Sequence, residues 1–338
     1  MDPGAGSTAV TASDPGRAGG AADPGGAAGR SRDTPGRGRV VAVVGPTAAG
    51  KSALSLALAR ALGGEVVNAD SMQLYHGMDI GTAKLTPAER DDVPHHLLDI
   101  WPVTAPASVA EYQTLARAAI DDILARGRVP LLVGGSGLYV RAVLEEFDFP
   151  GTDPAVRARL EEELRQRGPA PLYTRLQAAD PVAARNILPS NGRRIVRALE
   201  VIELTGAPFT ATLPQPVPFY DAVQIGVDLE TGLLDERIAV RVDRMWEAGL
   251  VEETRALEVQ GLRAGRTASR ALGYQQVLRM FDGELTEAQA RDETVRATRR
   301  FVRRQRSWFR RDPRITWLDA ARADLVEAAL ALVAAARE

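Results

Sequence analysis

The sequence predicts an α/β protein: a parallel β-sheet with helical crossovers, interrupted by an inserted all-helical segment. Three observations carry that prediction. Short apolar runs, "RVVAVV" (39–44), "EVVNAD" (65–70) and "VPLLVGGSG" (129–137), alternate with helical stretches, and strands separated by helix-length crossovers pair in parallel. From 151 to 216 the pattern turns wholly helical, then "AVQIGVDL" (222–229) returns to strand. The chain has 338 residues, 45% hydrophobic and 25% charged, which is enough length and an ordinary enough composition for such a core.

Residues 1–38 are mostly Gly, Ala, Pro, Ser, Thr, Asp and Arg. They carry too little apolar surface to offset the entropy of ordering and are expected to form a disordered tail. Residues 39–150 should form the first part of the core. "RVVAVV" reads as a strand buried on both faces, because apolar residues fill successive positions instead of alternating. A glycine-bracketed loop follows, then the helical "SALSLALARALG", stopped by Gly63. A second strand over 65–70, a helix over about 108–126 and a third strand over 129–137 complete this part. The insertion, 151–216, holds "DPAVRARLEEELRQRG", "PLYTRLQAADPVAARNI" and "NGRRIVRALEVIELTG", and ends in the proline-rich "TLPQPVPFY". Residues 217–338 should return to the core, mainly as helix, with "ITWLD" (315–319) as a last strand.

The absence of cysteine excludes disulfides, cysteine-ligated zinc and thiol catalysis. No apolar stretch approaches the roughly 18 residues that span a bilayer, and the N-terminus lacks the apolar core of a secretory signal. A cytoplasmic, membrane-free protein is therefore expected. The net charge of −2 points to no particular partner. Only Lys51 and Lys84 are lysine, against 40 arginines. A lysine that persists under such a bias suggests a position where a compact ammonium cannot be exchanged for a planar guanidinium.

Gly45, Pro46, Thr47, Ala48, Ala49, Gly50, Lys51 and Ser52 fit G-x-x-x-x-G-K-[ST], after a strand and before a helix. In such a loop, successive backbone N–H groups and the positive end of the following helix hold phosphate. Lys51 adds a point charge, and the Ser52 hydroxyl can ligate Mg²⁺. The core is thus expected to be P-loop NTPase-like, although any diphosphate ester supplies the same anion. Asp70 should emerge at the C-terminal end of the second strand, where ligands of α/β sheets bind. It can be read as a metal ligand, as a general base or as a simple turn carboxylate.

Arg291 to Arg311 holds nine arginines and two acids, with Phe301, Trp308 and Phe309 interleaved. On a helix the three- and four-residue spacing makes one basic stripe. Arg193, Arg194 and Arg197 form a second cluster. Both suit a phosphodiester backbone; both also suit a solvated helix face. His76, His95 and His96 have no spacing for a metal.

Taken together, "GPTAAGKS", "NADSMQLYHGMDIGTAK", "PHHLLDI", "PLLVGGSGLYVRAV", "RRIVRALEV", "SRALGYQQ" and "RRFVRRQRSWFR" resemble, in this order, the tRNA dimethylallyltransferase family, over about 39–320. The resemblance implies transfer of the dimethylallyl group of dimethylallyl diphosphate to N6 of the adenosine 3′ to the anticodon (position 37), in tRNAs reading codons that begin with U. Pyrophosphate leaves. It implies Asp70 as the base that takes the amine proton, with Arg241 and Ser136 beside the reacting groups and the loop 45–52 around the diphosphate. It implies Mg²⁺ on Ser52. tRNA contacts are implied at Asp70, Ser71, Met72, Gln73, Ser136, Arg157, Arg193, Arg194, Arg197, Arg270, Gly273, Tyr274, Gln275, Arg303 and Arg304. The expected assembly is a monomer.

The chain departs from the family pattern at Ala49, where serine is common, at Ser136, usually threonine, and at Gln275, often basic. Three other readings stand beside the resemblance. A small P-loop nucleotide kinase accounts for the loop and a helical insertion but leaves the "DSMQ" segment and the arginines without work. An adenylate isopentenyltransferase acting on free nucleotide needs no arginine stripe. A non-catalytic RNA-binding or GTP-switch protein fits the basic face, but the chain has no N-K-x-D guanine signature.

Overall fold

The computed structural model describes residues 38–147, 149–209 and 217–336. The expected tail and residues 212–216 of the proline-rich stretch lie outside the described residues, apart from Gly38. The described residues form one compact unit.

Six parallel strands build the sheet: β1 (Arg39–Val44), β2 (Gly64–Asn68), β3 (His95–His96), β4 (Val129–Gly134), β5 (Asp221–Asp228) and β6 (Ile315–Asp319). Their order across the sheet is β3-β2-β4-β1-β5-β6. The central β1 pairs with β4 at Val43↔Val133 and with β5 at Val43↔Ile225. Strand periodicity divides its apolar residues between two cores. Val40, Ala42 and Val44 face one side, together with Tyr112, Ile120 and Val143, while Val41 and Val43 face the other with Leu54, Leu58 and Val333.

The helices covering the sheet are α1 (Lys51–Leu62), the short α2 (Pro87–Arg90), α3 (Val109–Ala125) and α4 (Gly137–Leu144). Next come α5 (Pro154–Arg167), α6 (Pro169–Ala179), α7 (Pro181–Asn186) and α8 (Gly192–Thr205). These four pack on one another around their own apolar cluster, with Leu160, Leu172, Leu176, Ile195 and Leu199 buried. The chain closes with α9 (Thr231–Glu247), α10 (Leu250–Val259), α11 (Tyr274–Phe281), α12 (Glu287–Phe309) and α13 (Leu325–Ala335). α12 begins at a capping box in which Thr286 accepts from the Gln289 N–H and the Gln289 side chain reaches back.

Two strands stop earlier than their apolar runs suggest. β2 ends at Asn68, because the Asn68 and Asp70 side chains capture nearby backbone groups and turn the chain. β4 ends at Gly134, where an added Cβ would stand 2.2 Å from the Ala69 carbonyl oxygen. The two-residue β3 carries too little apolar pattern to announce a strand. It adds to the edge by pairing His95 with Val66 and His96 with Val67, and His96 Nε2 lies 2.7 Å from buried Glu65.

Candidate active site

Parallel pairing puts the C-terminal ends of β1, β2 and β4 on one edge, so the loop 45–50, the turn at Asp70 and the turn 134–136 meet there. They border a cleft of about 560 Å³ whose walls include Thr47, Lys51, Asp70, Gln73, Lys84 and Arg241.

The phosphate loop has the shape its glycines predict. Gly45 sits at φ +141°, with an added Cβ only 2.2 Å from the Val227 carbonyl oxygen, so no side chain fits. Gly50 is left-handed, offers α1 no side-chain cap, and no acid occupies the first turn. The helix therefore meets the cleft with uncapped N–H groups and its positive end. Lys51 donates from Nζ to the Pro46 carbonyl at 2.8 Å. Burial pushes its pKa down to about 8; Asp70 pulls the other way, and Arg241 adds to the fall. A lysine so placed gains most by meeting an anion.

Thr47 joins two distant helices to this loop. Arg241 of α9 donates from Nη1 to its hydroxyl at 3.2 Å, and its own N–H donates to Gln305 Oε1 of α12 at 2.9 Å. Burial lowers the Arg241 pKa and Asp70 opposes that.

Asp70 accepts from the Met72 N–H through Oδ1 at 2.9 Å, while Asn68 Oδ1 accepts from the Asp70 N–H at 2.9 Å. Asn68 Nδ2 also donates to the carbonyls of Asp70 and Leu97. One Asp70 oxygen thus does the work of a turn carboxylate. The other has no hydrogen-bond partner among the described residues, on a side chain that borders the cleft. Ser136 Oγ accepts from the Ser71 N–H at 3.2 Å and lies 3.2 Å from Ser71 Oγ. Beneath the turn the Tyr112 hydroxyl donates to the Asn68 carbonyl at 2.8 Å. Burial, with Tyr139 and Asp70 nearby, raises the Tyr112 pKa, so this phenol stays protonated.

The segment around Thr82 to Leu85, which also borders the cleft, is tied down twice. Buried Lys84 donates to Asp79 and Asp99, each at 2.6 Å, and to the Tyr75 carbonyl at 3.1 Å, which saturates its three N–H bonds. The Glu253 carboxylate accepts from the backbone N–H groups of Asp79, Ile80 and Gly81 and from the Tyr274 hydroxyl. Both lysines that survive the arginine bias therefore sit at the cleft.

Among the described residues no three His, Cys, Asp or Glu side chains converge as a metal site. The exposed Ser52 hydroxyl and Asp70 supply hard oxygens in small number. That donor set fits a small divalent cation that keeps waters and takes its remaining oxygens from a diphosphate.

The residues expected to touch RNA are not all on the surface. Arg193, Arg194, Arg270, Gln275, Arg303 and Arg304 are exposed, and Ser71, Met72 and Gln73 are half-buried. Tyr274 is 0% exposed and Gly273 is buried as well. A phenol spent on Glu253 and Gly81 holds the chain near the cleft and cannot reach a nucleotide. Arg157 and Arg197 both donate at 2.9 Å to Glu200, which is fully buried.

The basic stripe is also less free than its sequence suggests. Asp228 holds Arg306 and Arg310, Asp235 lies 3.6 Å from Arg299 and 3.9 Å from Arg303, and Asp292 pairs with Arg296. Arg304 stands over the Phe301 ring. Trp308 is 37% exposed, with Gly137 leaving room for its indole.

Sequence reasoning missed Asn68, Glu253 and Gln305. A signal for Gln305 existed: it interrupts the buried register of Thr298, Val302 and Phe309 on α12. A polar residue on an apolar helix face needs a partner.

An uncapped phosphate loop, a half-buried arginine and a carboxylate gathered on one edge of a parallel sheet define a P-loop enzyme that handles a phosphorylated substrate. The comparisons then narrow the class. Residues 73–312 match the model of the IPP transferase family. A tRNA dimethylallyltransferase of Salinispora arenicola is 80% identical over 299 residues, covering 88% of this chain and 87% of the relative. The crystal structure of the full-length tRNA isopentenylpyrophosphate transferase of Bacillus halodurans matches with a TM-score of 0.66 at 42% identity, over 88% of this chain and 97% of that one. A eukaryotic dimethylallyltransferase acting on tRNA matches with a TM-score of 0.75 at 26% identity, over 87% and 77%. The chain belongs to the IPP transferase family, that of the tRNA dimethylallyltransferases.

Proposed function

We propose that this chain transfers the dimethylallyl group of dimethylallyl diphosphate to N6 of the adenosine 3′ to the anticodon (position 37), in tRNAs that read codons beginning with U. The observation that carries this reading is the Asp70 carboxylate, with one oxygen unpartnered, bordering the same cleft as Lys51 and Arg241. A switch protein needs the phosphate loop but gives that carboxylate no nucleophile to deprotonate, and a small nucleotide kinase, which could use such a base, leaves the exposed arginines of α8 and α12 without work.

The exocyclic amine of adenine is a weak nucleophile, and it must leave the base stack to reach the cleft. Asp70 accepts a hydrogen bond from N6 and then its proton as the carbon–nitrogen bond forms. The carbon–oxygen bond of the prenyl diphosphate breaks, and the electron pair leaves with pyrophosphate. Lys51, Arg241 and the loop amides 48–52 hold the charge that gathers on the leaving group. Ser136 fixes the Ser71 backbone beside Asp70. A divalent cation, which we take as Mg²⁺, would be held by the Ser52 hydroxyl and the diphosphate, and would neutralise part of that charge.

The exposed arginines at 193, 194, 270, 303 and 304 are proposed to meet RNA phosphates, with Ser71, Met72, Gln73 and Gln275 nearer the loop bases. Arg157 and Arg197 reach RNA as a pair preset by Glu200, and Gly273 and Tyr274 act indirectly, through the anchored segment 79–81. α5–α8 would form the RNA-facing insertion. Among the described residues no helix is long and apolar enough to cross a membrane; a monomer working in the cytoplasm is our reading.

The test incubates the protein with Mg²⁺, radiolabelled dimethylallyl diphosphate and an unmodified anticodon stem-loop. AMP and a stem-loop lacking the target adenosine run alongside. Label in the complete stem-loop alone is the expected result. Label on AMP would overturn the RNA substrate, and ATP consumption without label would overturn the reaction.

A further inference from the structure

We infer that Gln305 is a positioning residue that couples the two substrates, a step that rests on the function proposed above. Its amide is only 5% exposed and spans two loops far apart in sequence. Oε1 accepts from the Thr47 N–H of the phosphate loop at 2.9 Å, and Nε2 donates to the Gly135 carbonyl at 3.0 Å. Thr47 is also the residue that Arg241 holds. Gly135 precedes Ser136, whose hydroxyl fixes Ser71 beside Asp70. One side chain therefore joins the diphosphate side of the cleft to the acceptor side.

That side chain is carried by α12, whose opposite face presents Arg303 and Arg304 to solvent. The helix is seated close to the site at a second point. Trp308 packs where Gly137 has no side chain, and an added Cβ there would stand 2.0 Å from the indole. The fit around Gln305 is equally close, since a Cβ on Gly135 would stand 2.3 Å from Nε2. RNA phosphates drawing on Arg303 compete with Asp235 for it and load the helix. A shift of α12 is passed by Gln305 to Thr47 and Gly135 together. Conversely, a diphosphate ordering the loop at Thr47 fixes the helix that receives RNA. Linkage requires the effect to be equal in both directions.

The experiment measures binding of inorganic pyrophosphate with Mg²⁺ to the full chain by calorimetry, with and without saturating anticodon stem-loop. Stem-loop binding is measured with and without pyrophosphate, and label transfer is run in parallel. Wild type should bind pyrophosphate at least about fivefold more tightly when the stem-loop is present. Gln305→Ala should bring that ratio to one while stem-loop affinity alone stays unchanged, which a general loss of packing would not do. Gly135→Ala reaches the same strut from the other side by crowding the amide, and should also lower the ratio; it decides the matter if Gln305→Ala does not fold. An undiminished ratio in the folded variants, or a ratio of one in wild type, overturns the inference. A wild type that neither binds stem-loop nor transfers label overturns the proposed function, and this inference with it.

Discussion

Arg241 on α9 donates to the Thr47 hydroxyl at 3.2 Å, bridging 194 residues of chain to set a half-buried guanidinium beside the phosphate loop. Partial burial lowers its pKa, and its place on the cleft wall lets an entering diphosphate meet a cation already held in position.

Arg241→Ala should therefore cost about 10²-fold in kcat and raise the KM for dimethylallyl diphosphate, as loss of one transition-state donor does. Arg241→Lys should recover little, because a single ammonium cannot reach Thr47 and diphosphate with the same planar fork. Steady-state label transfer at varied diphosphate checks both, and wild-type kinetics in Arg241→Ala would remove it from the site.

Asp70→Asn separates the two roles of this residue. The amide oxygen can still accept from the Met72 N–H, so the turn survives, but the group can no longer take a proton. Turnover should fall by about 10²- to 10⁴-fold with stem-loop affinity close to wild type. Equal losses in binding and turnover would leave Asp70 as a turn residue only.

Much of this region is legible from local sequence. The glycine spacing of 45–52, the strand before it and the helix after it are set by residues within a few positions of one another, so pattern alone finds them. The scarcity of lysine pointed to Lys84 as well as Lys51, and the Lys84 cage of Asp79, Asp99 and the Tyr75 carbonyl explains why: three short donors suit an ammonium on a short reach. Gln305 and Glu253 were hidden because their partners lie 258 and about 173 residues away, at pairings only the fold creates. The basic stripe misled in the same way. Counting charges within α12 leaves out Asp228 and Asp235, which come from β5 and α9.

The Lys51 shift predicts a pH dependence. Its folded pKa is about 8, against 10.5 for the ordinary side chain. Above pH 8 the substrate-free protein loses the ammonium, so pyrophosphate affinity should weaken by up to about tenfold per pH unit. Stability moves oppositely. Between about 8 and 10.5 the unfolded chain binds the proton more tightly, so this group's destabilising effect is full below pH 8 and fades as pH rises. Calorimetric titration from pH 7 to 9.5 checks the first point, and Lys51→Arg should flatten the break near 8.

Glu65 predicts a stability effect remote from the cleft. The Arg126 guanidinium, with His96 assisting, holds this carboxyl down to about 2. A depressed acid contributes stability above its unfolded pKa of 4.5 and loses it as pH falls through 2. Glu65→Gln should cost about 2 kcal/mol at pH 7, by leaving charged donors without their carboxylate. The difference from wild type should shrink as pH drops below 4.5, and urea melts at pH 7, 4 and 3 measure it. A constant difference would mean the amide fails through packing.

The arginines of α12 should divide into two kinds, and salt dependence separates them. Arg304 pairs with no acid among the described residues and lies over Phe301, so its charge is available to RNA. Arg306 spends its guanidinium on Asp228, Thr231 and the Leu229 carbonyl, which fastens α12 to the end of β5 and the start of α9. Arg304→Ala should weaken stem-loop binding and lower the slope of log affinity against log salt by about one, with little change in melting temperature. Arg306→Ala should lower melting temperature and leave the salt slope near wild type. Removing Arg306 also leaves Asp228 with the Leu229 N–H and, among the described residues, only the exposed Arg310 as a cationic partner at 3.0 Å, so part of the loss is an under-compensated carboxylate. If instead both variants moved the slope equally, the acids of β5 and α9 would not be neutralising the stripe, and RNA would be displacing them.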